Sequence, residues 1–138
     1  MGRTILGMLL GLVTMWLTVA ALEFLGHALF PPPPGLDPTN PERLQQIIAA
    51  ASIGALAMLV LAWVGGAFVG AWVGARIARH ARASAIAVAL FVMAGVAGMV
   101  MIVPDHPTWV SALGLLLPIP AALVAAKLAG RQEKTLPK

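Results

Sequence analysis

The residues with the clearest capacity for chemistry are an acid and a histidine near the end of a long apolar segment. Glu23 and His27 lie four positions apart, a spacing that puts both on one face of a helix. A carboxylate and an imidazole placed in this way can share a proton, form an ion pair or offer two ligands to a divalent cation. A second acid and histidine, Asp105 and His106, lie in a short polar segment between two later apolar segments. Together the four residues are the candidate site.

Three interpretations of these residues stay open. An acid inside an apolar span must be neutral, paired or in contact with water, which makes Glu23 a functional candidate by default. In the first interpretation Glu23 only bonds a neighbouring helix, His27 is an interfacial anchor and the second pair is a polar turn. In the second, the four residues form a proton- or cation-responsive site. In the third they belong to a membrane metalloenzyme, although the spacing lacks the second histidine of a zinc-binding HExxH helix.

Sequence motifs assign no catalytic residue. The chain has no serine-nucleophile motif, no P-loop and no dinucleotide-binding fingerprint. It also has no cysteine, which excludes disulfides, thiolate zinc sites and cysteine nucleophiles. We therefore expect no cofactor, leave the identity of any metal open, and favour a protein that is not an enzyme.

Composition indicates which elements must position the candidate site. Of 138 residues, 60% are hydrophobic and 10% charged, against roughly 45–50% and about 25% in ordinary soluble domains. A folded unit of this size could not bury so much apolar surface away from water. A soluble enzyme, a free nucleic-acid binder and a disordered chain are therefore poor interpretations.

Long uncharged segments predict an all-α membrane bundle of four transmembrane helices. Crossing the hydrocarbon takes about 20 apolar residues in a helix, and the segments place the helices at about 4–30, 40–78, 83–103 and 108–129 in one domain spanning 1–138. A proline-rich loop at 31–39 follows the first helix. The first segment could instead be a signal peptide, but its uncharged run exceeds the usual h-region of about 7–15 residues, so we expect it to be retained.

Glycine and proline predict where the helices bend and pack. We expect a bend in the second helix at Gly65-Gly66, and a kink in the fourth at Pro118 and Pro120. Gly66, Gly70 and Gly74 continue a column of small residues at four-residue spacing, which lets another helix approach closely. The column fits either packing inside one bundle or an interface of a homo-oligomer or larger membrane complex.

Basic residues predict the orientation. Eight of the nine flank one set of helix ends, and only Arg43 belongs to the other. The eight are Arg3, Arg76, Arg79, Arg82, Lys127, Arg131, Lys134 and Lys138. The positive-inside rule then puts both termini and the 76–82 loop in the cytoplasm, and the 31–46 and 104–108 loops outside, in a bacterial-type inner membrane. Basic residues placed in this way are typical of signals that set membrane topology and of contact with a lipid bilayer, rather than of nucleic-acid binding. The 76–82 loop could also dock an acidic partner.

Three stretches carry a resemblance to known sequences. Residues 26–38, with Ala62-Trp63 and residues 74–79, resemble a family of small, uncharacterised bacterial membrane proteins with four helices. The resemblance implies a four-helix topology and brings no activity or site residue.

These observations favour a small binding or transport module with a proton- or cation-responsive Glu23/His27 site near the outer face. The alternative is a non-catalytic accessory or assembly subunit that docks through the glycine column of the second helix. A membrane metalloenzyme is a third possibility.

Overall fold

The computed structural model describes residues 2–31, 34–35, 41–103 and 107–133, and this part of the chain is helical with no strand. The helices are α1 (Gly2–Leu29), α2 (Pro41–Ala50), α3 (Ile53–Ile77), α4 (Ala81–Ile102), α5 (Thr108–Leu116) and α6 (Pro118–Glu133). The prediction of an all-helical chain is confirmed for these ranges.

Within the described ranges, four spans are long and apolar enough to cross a membrane. They are α1, α3, α4 and the pair α5–α6, the last counted from Thr108 to Gly130. Helices α3 and α4 are the central elements, because each contacts the other and also α1, α5 and α6. The ends of the spans define two ends of the bundle. We call the end that holds Leu29, Ile53, Ile102 and Thr108 the proline end, and the opposite one, with Gly2, Ile77 and Ala81, the arginine end.

The segment predicted as one helix at 40–78 is divided in two. Helix α2 ends at Ala50, and Ser52 begins α3 as an N-cap whose side-chain oxygen accepts a hydrogen bond from the Ala55 N–H at 3.2 Å. An N-cap hydroxyl satisfies one of the free N–H groups of a helix start, so the chain can change direction here. Helix α3 continues without interruption through Gly65 and Gly66, and the bend expected there stays a prediction.

The fourth span is interrupted where its first proline predicts it. Helix α5 ends at Leu116 and α6 begins at Pro118. Proline lacks an N–H and fits the first helical turn, where no such donor is needed. The helix is thus interrupted immediately before Pro118, whereas α6 continues through Pro120.

The core differs between the two ends of the bundle. Towards the arginine end it consists of buried alanines, among them Ala71, Ala85 and Ala122. Towards the proline end it contains larger side chains, including Leu56, Trp63 and Val96. Small side chains at a contact let helices approach closely, and the close contacts of Gly7 and Gly11 of α1 with α3 lie towards this arginine end.

The outer surface of the bundle is apolar. Trp16 is 66% exposed and Phe24 79%, both on α1, and Met101 on α4 is 84% exposed. Apolar patches of this extent are rare on soluble monomers and normal on surfaces that face lipid. Trp63, in contrast, is buried in the core.

Candidate functional site

Glu23 and His27 lie on successive turns of α1, and His27 is in its last turn. Glu23 is half-buried and His27 is exposed. The Nδ1 atom of His27 is 2.8 Å from the backbone carbonyl oxygen of Glu23. A carbonyl can only accept a hydrogen bond, so Nδ1 is the donor and carries the proton. In neutral His27 the other ring nitrogen, Nε2, is then left with a lone pair that can accept a hydrogen bond or bind a cation.

This contact differs from the pairing that the four-residue spacing suggested. The imidazole bonds the main chain of Glu23, not its carboxylate. Within the described part of the chain, no hydrogen bond or ion pair involves the Glu23 carboxylate. The two side chains therefore present separate acceptors, a carboxylate and an imidazole nitrogen.

Both side chains line a cavity of about 700 Å³ at the proline end. The cavity lies between the last turns of α1, the end of α2 and the first turns of α3, with Met99 of α4 on its wall. Its volume is within the range of about 300–1,000 Å³ typical of small-molecule sites. The site thus belongs to the end of the bundle where the core residues are larger.

The break between α2 and α3 contributes to the wall of this cavity. Ile47 and Ile48 of α2 and Ser52 at the start of α3 all line it. An uninterrupted helix would carry α2 onward in the direction of α3, so the change of direction at Ser52 sets where these side chains lie. The Phe30 ring packs on Gly54, where a Cβ would be only 2.5 Å from its Cε1 atom, and this contact holds the end of α1 against α3.

Polar groups are few on the cavity wall. Among the described residues of the wall, Glu23, His27 and Ser52 carry the polar side chains, and the others are apolar or glycine. The Ser52 oxygen already accepts the Ala55 N–H. In an apolar environment, a carboxylate without a partner is unfavourable unless it is protonated, hydrated or paired with a ligand. Glu23 is therefore the group on this wall with the strongest requirement for a partner.

Asp105 and His106 lie outside the described residues. Val103 and Pro107, which flank them in the chain, follow α4 and precede α5 at the proline end. Among the described residues, no group of three or more His, Cys, Asp or Glu side chains could hold a metal ion. The described site thus offers Glu23 and His27 alone as ligands of that kind.

The glycine column of α3 faces α1. A Cβ on Gly70 would lie 2.6 Å from the Gly11 carbonyl oxygen, and one on Gly74 would lie 2.8 Å from that of Gly7. A Cβ on Gly66 would clash with the Val19 side chain. The backbones of α1 and α3 are thus in direct contact, and a partner that used this column would have to displace α1.

The 76–82 segment, called the basic loop below, lies at the arginine end. The guanidinium carbon of Arg76 is 4.2 Å from the centroid of the Trp72 ring, a cation–π geometry, and Arg79 and Arg82 are exposed. His80 Nδ1 is 3.2 Å from Thr4 Oγ1, so the start of α1 is tied to the α3–α4 connection. The sequence analysis assigned no role to His80, because nothing in the sequence relates it to a threonine 76 positions away.

The sequence analysis also missed two serines. Ser52 at the cavity could have been found as an N-cap, since serine before an apolar helix is a standard start pattern. Ser84 of α4 is fully buried, and its hydroxyl has no hydrogen-bond partner in the described structure. No sequence pattern predicts that a serine hydroxyl will be buried in this way.

Comparisons with protein families, with curated proteins and with solved structures find no match to this chain. Its function has to be argued from its own residues.

Proposed function

We propose that the chain is a small binding or transport module of a bacterial-type inner membrane, in which Glu23 and His27 form a proton- or cation-responsive site near the outer face. The observation that carries the proposal is that both residues line one cavity, where no described residue donates a hydrogen bond to the Glu23 carboxylate and His27 Nε2 has no hydrogen bond to a described residue. Intramembrane acids in such positions are typical of ion and proton sites.

The distribution of charge supports the orientation. Arg3, Arg76, Arg79, Arg82 and Lys127 belong to the arginine end, whereas Arg43 follows the start of α2 at the proline end. With the basic end in the cytoplasm, the cavity opens near the outer surface. The Arg76–Trp72 contact fits an interfacial position, where aromatic rings and basic side chains meet lipid headgroups.

The experiment is flux and binding in liposomes that contain the purified protein. Proton, Na⁺, K⁺ and Mg²⁺ movement is measured for the native chain, for Glu23→Gln and for Thr14→Val. Thr14 is a matched control, because it lies on α1 away from the cavity and its hydroxyl donates to the Leu10 carbonyl. We expect a proton- or cation-dependent response that Glu23→Gln abolishes and Thr14→Val keeps.

Folding is checked by circular dichroism and size-exclusion chromatography. A folded Glu23→Gln variant with an unchanged response, or a native chain with no response to any of these ions, would contradict the proposal.

A further inference from the structure

We propose that the cavity binds an amphipathic amine: a protonated ammonium group held by Glu23 and His27, attached to an apolar body that lies between α1 and α3. This inference rests on the proposed function and names the class of cation.

The head group follows from the hydrogen-bonding capacity of the wall. The Nδ1–H group of His27 already donates a hydrogen bond to the Glu23 carbonyl oxygen, so neutral His27 presents Nε2 as an acceptor. An ionised Glu23 carboxylate is also an acceptor, and no described residue donates to it. Two acceptors, one of them an anion, match a ligand that has several N–H donors and a positive charge. An ammonium group has both, whereas an alcohol has no charge and a carboxylate or sulfate would be repelled.

The body follows from the rest of the wall. Leu29, Leu56, Met58, Leu59 and Met99 surround the two polar side chains, and α2 adds Ile47 and Ile48. A bare metal ion would need further oxygen or nitrogen ligands, which this wall does not supply among the described residues. An alkyl or aryl group fills an apolar space of about 700 Å³ without leaving polar groups unsatisfied.

The route of entry follows from exposure. His27 is exposed at the rim, and Phe30 beside it is 38% exposed, while Glu23 lies half-buried one turn further in. An amine can therefore reach the carboxylate from the outer lipid surface, nitrogen first, without separation of α1 from α3.

The experiment compares head groups on one chain length. The protein is placed in nanodiscs of zwitterionic lipid, and octylamine, octanol and octyl sulfate are bound by equilibrium dialysis against empty discs. A charge-assisted hydrogen bond contributes about 1.5–3 kcal/mol, which converts to roughly ten- to hundredfold in affinity. We expect octylamine to bind more tightly than octanol by this factor, and octyl sulfate to bind more weakly than either.

Three variants separate the charge from the volume. Glu23→Gln should bring octylamine and octanol to similar affinities. Ala51→Phe fills the cavity while keeping the carboxylate, and should weaken both by about tenfold or more. Val124→Phe is the control, because Val124 is exposed on α6 and outside the cavity, and should change neither.

The outcomes distinguish this inference from the proposed function. Equal affinities of octylamine and octanol in the native chain, or an amine preference that survives in Glu23→Gln, would overturn the amine assignment. If Glu23→Gln still abolishes the ion response in liposomes, the proposed function stands without it. If the amine preference depends on Glu23 but no ion response exists, the amine site stands and the proposed inorganic ion response fails.

Discussion

The backbone carbonyl oxygen of Gly7 lies 2.8 Å from the position that a Cβ atom on Gly74 would occupy. One turn further along, the carbonyl of Gly11 stands in the same relation to Gly70, at 2.6 Å. Between apolar helices in lipid there is little hydrophobic driving force, so close van der Waals contact of this kind holds them together. The absence of side chains at these glycines is what lets α1 and α3 meet.

The first prediction concerns the cost of a single methyl group at this contact. In Gly70→Ala, the new Cβ would be 2.5 Å from the Met15 Cβ and 2.6 Å from a backbone oxygen, so a helix must shift. Overpacking of this kind destabilises by about 1–3 kcal/mol. The measurement is the free energy of unfolding in mixed micelles titrated with dodecyl sulfate.

The matched control is Gly95→Ala on α4. A Cβ at Gly95 meets nothing within 4 Å, so the substitution should only gain helix propensity, about 0.5–1 kcal/mol. If Gly70→Ala and Gly95→Ala had the same effect, the close contact between α1 and α3 would not be the source of the stability.

The second prediction concerns orientation, and it uses the absence of cysteine from the chain. Gln46→Cys on α2 and Arg79→Cys in the basic loop place single thiols at exposed positions on opposite ends of the bundle. In intact cells, a membrane-impermeant maleimide should label Cys at position 46 and should label position 79 only after the membrane is permeabilised. Labelling of position 79 in intact cells would reverse the orientation, and labelling of both would contradict a fixed one.

The positions of the apolar spans can be predicted well from the sequence, because they follow from its amino-acid composition. Long uncharged apolar segments are long enough to cross a membrane as helices, and proline cannot donate the backbone hydrogen bond of a helix interior, which fits the position of Pro118 at the first residue of α6. The break before Ser52 was not predicted, because serine ends one helix and starts another only when the surrounding packing favours a change of direction. Gly66 lies within the uninterrupted α3, and its small size lets Val19 and Met15 of α1 approach closely.

The candidate site was predictable only in part. The spacing of Glu23 and His27 correctly places them on one helix face, but it cannot show that the imidazole bonds a main-chain oxygen rather than the carboxylate. The cavity is formed by four helices together, since α1, α2 and α3 line it and α4 contributes Met99, and no local sequence pattern predicts it. The contribution of Asp105 and His106 stays a prediction.

The third prediction concerns the proton on His27. Because Nδ1 donates to the Glu23 carbonyl, neutral His27 should be the Nδ1–H tautomer. Its two ring nitrogens can be distinguished by ¹⁵N NMR of histidine-labelled protein, recorded at a pH well above the usual range for histidine. The acceptor is a backbone atom, so Glu23→Gln should leave the tautomer unchanged. A change of tautomer in this variant would mean that the side chains of Glu23 and His27 share the proton instead.

The last prediction is that one substitution has opposite effects at two serines. Ser52 Oγ accepts the Ala55 N–H at the start of α3, so Ser52→Ala leaves that N–H without its cap and should destabilise by about 0.5–2 kcal/mol. Ser84 Oγ is buried with no hydrogen-bond partner in the described structure, and such a group carries an unrecovered desolvation penalty of about 1–3 kcal/mol. Ser84→Ala removes the group and should stabilise, by about 1 kcal/mol once the lost packing is counted. Both free energies of unfolding are measured by the same dodecyl sulfate titration, and destabilisation by Ser84→Ala equal to that of Ser52→Ala would show that the Ser84 hydroxyl has a bonding partner in the folded protein.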